Sequence, residues 1–271
     1  MSLITISQGI GTEGVKIAKQ VASGLNVALY DDTRLKEQAV KMGIRPEEVK
    51  PLDEKLPGFF ERIWGHTPNL YVDLMEAVVY EVAQEGEGVI VGHGSNILLR
   101  DFDCALHVLI YSSRAFRIRR LSEEQGLSPE AAEKLIRKHD HERAGFLKYA
   151  FKMEWNDPSQ YDLTINTTKL GVETAVKMIV ETAKSQEIRE CSLTAIDAMA
   201  RLVLSKRIEA ALLEKNFNVS FLNIEVPEKG EAHITGFISS KDEKQSLKDV
   251  VGKIPGISKT KFDVAVIPPG A

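Results

Sequence analysis

A short β-branched run from Leu3 to Ser7 enters a loop with glycines at Gly9, Gly11 and Gly14. A helical pattern begins at once, the whole reading ITISQGIGTEGVKIAKQVASGL over residues 4–25. A strand, a glycine loop and a helix in that order present backbone N–H groups at a helix N-terminus, where an anion is stabilised. The glycines permit the positive φ angles that let a backbone curl around phosphate oxygens. The common phosphate loop reads GxxxxGK[ST]. Here Val15 and Lys16 stand where that pattern has its Lys and its Ser or Thr, and Glu13 sits inside the loop. A tight strand-to-helix turn without a ligand is the other reading of the same residues.

The alternation continues beyond the loop. Ile17, Ala18, Val21, Ala22 and Leu25 line one helical face. Residues 26–32 read as a second strand, and a helix then starts behind an Asp cap and stops at residue 43. Residues 45–68, rich in Pro, Gly and charge, predict short helices and turns. A helix over 71–85, a buried strand entering a second glycine turn over 88–94 and a strand over 105–113 come next. Ser128-Pro129-Glu130 reads as an N-cap, a first-turn Pro and an early acid, opening a helix to about residue 151. A last strand spans 161–167 and a closing helix 171–183. Strands alternating with helices predict an α/β fold, a phosphate-loop kinase-like parallel sheet flanked by helices. Ligands of such sheets sit at the carboxyl ends of the strands, where both glycine turns fall.

At 271 residues the chain is long enough for two domains. Residues 183–192, polar and charged, predict a linker. Beyond it a helix over 193–215 precedes two alternating strands around 227–230, a helix behind Ser240 and a third strand after a Pro255-Gly256 turn. That order, αββαβ, predicts a small α+β module.

Phosphoryl transfer is mainly positioning plus positive charge around the moving group, so the cations come next. Arg114, Arg117 and Arg120 share one helical face, and Arg137 and Arg143 flank Asp140 at three-residue steps. Two such helices read as a lid that closes arginines over phosphates. A solvated, salt-bridged hairpin with Glu123, Glu124, Glu130 and Glu133 is the competing reading. Lys16 reads as a loop cation or a surface lysine. Asp31, Asp32 and Arg34 come after the second strand. The arginine suits a substrate phosphate, and the aspartates suit a sugar, a metal-bound water or a helix cap. In Gly92-His93-Gly94 the histidine can donate to phosphate. Trp64 and Trp155 read as packing residues, the second also as a wall of a base pocket beside the lid. His139 and His141 match no metal pattern and read as surface residues.

Three stretches, ITISQGIGTEGVKIAKQVASGLNVALYDD, VIVGHGSNILLRDF and DHERAGFLKYAFKMEWNDPSQYDLTINT, together resemble the cytidylate kinase-like family over residues 1–185. The most specific part is the sequence Asp140, Arg143, Tyr149, Trp155, Tyr161-Asp162-Leu163 and Asn166-Thr167. The family loop usually reads like SREYGSGGRE. Against it, Gly11 and Gly14 match, Thr12 replaces Ser, Gln8 and Val15 replace both arginines, and Glu13 replaces a glycine. His93 stands where the second turn often has an arginine.

The resemblance implies an ATP-dependent kinase that moves the γ-phosphoryl group to a CMP-like nucleoside monophosphate, with Mg²⁺ carried by substrate phosphates. Gly9, Gly11, Thr12, Glu13, Gly14 and Val15 would hold the nucleotide. Lys16, Arg117, Arg120, Arg137 and Arg143 would serve catalysis, and Asp31, Arg34, His93 and Asp140 the acceptor. No protein metal ligands are expected. The altered loop equally fits a weak or inactive nucleotide sensor or scaffold.

Residues 192–271 resemble a BON domain through Thr235-Gly236 and Ile254-Pro255-Gly256-Ile257. The resemblance implies a module that binds an unknown partner or lipid, or that makes homo-oligomers. A net charge of −4 argues against a polymer of nucleic acid as partner. With no signal peptide and no apolar run near membrane-spanning length, the sequence reads as cytoplasmic. Cys104 and Cys191 match no metal or redox spacing and read as reduced structural thiols.

Overall fold

The computed structural model describes residues 3–42, 68–102, 104–189 and 193–267, and it divides into two compact units, Met1–Cys191 and Ser192–Ala271. The expected turns over 45–67, Trp64, the helix stop at Gly43 and Cys191 lie outside the described residues.

The first unit is built on five parallel strands: β1 Leu3–Gln8, β2 Leu29–Tyr30, β3 Gly88–Val91, β4 Ala105–Tyr111 and β5 Leu163–Asn166. Their order is β2-β3-β1-β4-β5, with β1 in the centre. A parallel sheet is buried on both faces, which is why β3 and β4 are near-continuous apolar runs; the edge strand β5 alternates, with Ile165 buried and Thr164 exposed. The first helix, α1 (Gly14–Leu25), packs Ile17, Ala18, Val21 and Ala22 onto the sheet beside Ile179 and Val180. In chain order, α2 (Asp32–Lys41), α3 (Pro68–Ala83) and the short α4 (Ser95–Leu98) come next. Then come α5 (Arg114–Gln125), α6 (Pro129–Phe151), α7 (Val172–Ala183) and the short α8 (Gln186–Arg189).

Local chemistry sets the helix starts. Ser128 accepts from Ala131 N at 3.2 Å and Pro129 supplies a preset φ, so α6 begins where its residues predict. The second strand is shorter than expected, because Asp31 already caps α2 and accepts from Arg34 N at 3.3 Å. One polar pair lies inside the sheet: Thr5 Oγ1 meets His107 Nδ1 at 2.8 Å across β1 and β4. Burial lowers the His107 pKa, with Asp162 opposing weakly. Cys104 is disulfide-bonded, which corrects the expectation of a reduced thiol there. Sequence spacing says nothing about which distant thiols a fold brings within bonding reach.

The second unit runs α9 (Leu193–Glu214), β6 (Leu222–Glu228), β7 (Glu231–Ile238), α10 (Lys241–Val251) and β8 (Lys259–Val266). The αββαβ order is as expected. Strands β6 and β7 are antiparallel, β7 and β8 parallel. Leu204, Ile208 and Leu212 of α9 and Leu247 and Val251 of α10 meet Ala232, Ile234 and Val264 in a separate core. Gly236 has φ +129°, and a Cβ there would lie 2.1 Å from the Phe221 carbonyl oxygen. Only glycine allows the two strands to approach so closely.

Candidate active site

Both glycine turns lie at the carboxyl ends of central strands, β1 and β3. In the first, the loop between β1 and α1 directs its carbonyls at the protein. Arg143 of α6 donates through Nη1 to Gln8 O. Thr12 Oγ1 donates to Gly9 O at 2.8 Å, Arg117 Nε of α5 to Ile10 O at 2.7 Å, and Thr167 Oγ1 to Thr12 O at 3.1 Å. Four loop carbonyls are therefore fixed by side chains that lie up to 155 residues away. Among the described residues no acceptor takes the N–H groups of Glu13, Gly14 and Val15. They sit at the positive end of α1, the arrangement that binds anions.

Helices α5 and α6 rest directly on this loop. Gly11, at φ +78°, leaves only enough room for the Arg117 backbone, since a Cβ would sit 3.0 Å from its carbonyl oxygen. The Arg117 side chain is buried. Besides Ile10 O it donates to both carboxylate oxygens of Asp140, at 2.7 and 2.8 Å. Each of its three nitrogens is thus taken by protein. From sequence, Arg117 is expected on the transferred group and Asp140 on the acceptor. In the structure they grip each other and hold the loop.

Arg120 is different. Its Nη2 meets Glu13 Oε1 at 2.5 Å and Glu124 Oε1 at 3.3 Å, and Nη1 meets Glu123 Oε2 at 3.1 Å. Its Nε, although buried, has no hydrogen-bond partner among the described residues. Burial opposes the charge of this guanidinium, yet Glu13 and its neighbours hold the pKa above the ordinary value. Glu13 itself is left-handed, at φ +63°, and caps α1 without a side-chain hydrogen bond to it. The loop carboxylate, repulsive to phosphate if left alone, therefore faces an arginine of α5.

The second turn is a run of three left-handed residues, Gly92, His93 and Gly94, with φ of 75°, 57° and 68°. For a histidine this conformation costs about 1–2 kcal/mol. A buried pair holds it, His93 Nε2 to Asp32 Oδ1 at 2.8 Å. Strain kept by an internal pair at a strand end is a mark of a functional site.

Between the two turns lies a pocket lined by Ser7, His93, Asn96, Arg143, Trp155 and Tyr161 among others. Ser7 Oγ donates to Asn96 Oδ1 at 3.1 Å, and Asn96 Nδ2 is buried without a well-formed hydrogen bond. The Arg143 guanidinium lies 5.6 Å from the centre of the Trp155 ring. Burial raises the Tyr161 pKa; Ser7, Arg143 and Asn96 act against it.

The structure therefore gathers Gly9, Gly11, Thr12, Glu13, Gly14, Val15, Arg117, Arg120, Asp140 and Arg143 around one loop. It leaves others apart. Lys16 is exposed on α1 and Arg137 on α6. Asp31 caps α2, and Arg34 is exposed with its guanidinium 5.1 Å from the Tyr30 ring centre. His139 is half-buried rather than a surface residue, and burial lowers its pKa.

Sequence reasoning does not single out Ser7 or Asn96, which line the pocket, and it takes Thr167 only as part of a motif and Asp32 only with its neighbour. The DxxR spacing on α6 and the Asn166-Thr167 pair are the visible signals. Among the described residues no group of three or more His, Cys, Asp or Glu side chains is placed to hold a metal ion, and no helix is long and apolar enough to cross a membrane.

Comparison with known proteins places this geometry. Cytidylate kinases of Pyrobaculum islandicum and Pyrobaculum arsenaticum are 25% and 24% identical over 182 residues, 67% of this chain and 92% of each relative. An uncharacterized protein from Eubacterium ventriosum superposes with a TM-score of 0.52 at 23% identity, covering 69% of this chain and 100% of that one, a likeness of fold. The family model for the cytidylate kinase-like family matches residues 3–169, all within the first unit. The chain belongs to the cytidylate kinase-like family.

Proposed function

We propose that the first unit is a nucleotide kinase that transfers the γ-phosphoryl group of ATP, carried as its magnesium complex, to a nucleoside monophosphate such as CMP. The observation that carries this reading is the loop. Its carbonyls are fixed by Arg143, Thr12, Arg117 and Thr167 while the N–H groups of Glu13, Gly14 and Val15 stay available. Those amides, with the helix end, take the donor phosphates. Mg²⁺ keeps most of its waters and enters on the phosphates, so no protein cage is required.

Arg120 supplies charge to the moving group, and helices α5 and α6 exclude water. The acceptor occupies the pocket between the turns. Its base lies against Trp155 and its acceptor atoms face the amide of Asn96. Arg143 binds its charge at the pocket floor, and His93 with Asp32 keeps the turn in shape.

A second reading, a nucleotide sensor with little turnover, is favoured by one specific observation, the engagement of Arg120 by Glu13. For the second unit we propose a BON-like binding module. Its support is the αββαβ order and the close strand approach at Gly236.

The test is ADP release from MgATP by the full chain with each nucleoside monophosphate in turn, CMP first. Release that depends on the monophosphate is the expected result. Saturable MgATP binding with no monophosphate-dependent release would replace the kinase with the sensor.

A further inference from the structure

Two arginines of α5 touch the loop, and they differ in one respect. Arg117 is complete, each nitrogen paired and the side chain buried. Arg120 is not. Its Nε is buried without an acceptor among the described residues, its side chain is 28% exposed, and its tightest partner, Glu13, belongs to the loop itself. The Glu13 carboxylate is 13% exposed and adjoins the amides of Gly14 and Val15 in sequence. Any anion on those amides therefore meets a fixed negative charge nearby, and it meets a cation that this charge already occupies.

We propose that Glu13 is a specificity-determining residue that makes the loop select metal-neutralised polyphosphate over the free polyanion. The inference rests on the loop being the donor site. With Glu13 and Arg120 paired, the mouth of the loop carries little net charge. A ligand gains there only what remains after repulsion by the carboxylate. Coulomb energy is proportional to the ligand's charge. Chelation by Mg²⁺ removes about two of the roughly four negative charges of ATP, so it removes about half of this penalty. Glu13 thereby weakens binding of free ATP more than of MgATP, and Arg120 turns to the phosphates once the ligand brings its own cation.

The experiment is calorimetric titration of the full chain with MgATP, and separately with ATP in the presence of a chelator, for the natural protein and for Glu13→Gln. Glutamine keeps size and shape and removes the charge. The expected gain on substitution is about tenfold in affinity for free ATP and about threefold for MgATP, the ratio that charge proportionality sets. Equal gains for the two ligands, or none, would overturn the inference while leaving the loop a nucleotide site. No binding of either ligand by either protein would overturn both. A merely structural effect of residue 13 would move both ligands alike. If Glu13→Gln does not fold, Glu13→Gly, which also relieves the left-handed strain, gives the same comparison.

Discussion

Among the described residues only the first unit buries charged side chains. In the first, Arg117 of α5, Asp32 at the start of α2 and His93 of the second turn are buried, in pairs that join residues 23 and 61 positions apart. In the second, Asp263 lies between His233 at 2.8 Å and Lys261 at 3.0 Å on the exposed face of the sheet. Lys259 meets Glu231 nearby in the same exposed manner. Burying a charge costs several kcal/mol unless it is well paired, and hydrophobic residues would fill the space at least as stably. Charges are retained inside the first unit because they shape the loop and the turn. The second unit asks its charges only to stay in water.

The comparison breaks most visibly when the same substitution is made on both sides. Asp140→Asn leaves Arg117 buried with half its partner, so it should destabilise the first unit by about 2 kcal/mol, less than a fully buried pair because Asp140 is a third exposed. Freeing Arg117 also releases the Ile10 carbonyl, and MgATP affinity should fall about tenfold. Asp263→Asn should leave thermal unfolding and nucleotide binding where they were. Lys261 and His233 lower the Asp263 pKa, but the group is fully exposed and solvent screens the pair. Calorimetric unfolding and titration of both variants measure this. A large effect at Asp263 would erase the distinction between the units.

A smaller effect sharpens it. His107 is neutral in the folded sheet because burial lowers its pKa, whereas the unfolded chain takes up a proton near pH 6.5. The unfolded state then binds more protons below that pH. Stability from this group is complete above about pH 6.5 and declines as the pH falls toward the folded pKa. His107→Gln should lose stability at pH 7.5 yet show a shallower decline between pH 7 and 5. A pH series of melting curves on the two proteins reads the difference, and parallel curves would contradict it.

Much of the fold was legible. Caps at Asp31, Ser128 and Ser240, the apolar face of α1 and the two glycine turns are local chemistry, and each appears where the residues put it. At the loop the residues were legible but their partners were not, and Lys16, Arg34 and Arg137 lie exposed away from it. Nothing local to Arg117 says that it will choose Asp140 and a carbonyl over a phosphate. Thr167 reaches Thr12 only because β5 and the loop meet at one end of the sheet. His107 looks like any polar residue in a strand until its neighbour Thr5 is known. Partnership across the chain depends on topology, and single-residue patterns do not carry it.

The most direct measurement tracks the backbone amide resonances of Glu13, Gly14 and Val15 in the full chain as MgATP is added. If the loop holds the donor phosphates, these three shift together and saturate with the binding curve. Saturable binding that leaves all three unmoved would contradict this, because the nucleotide would then sit away from the loop.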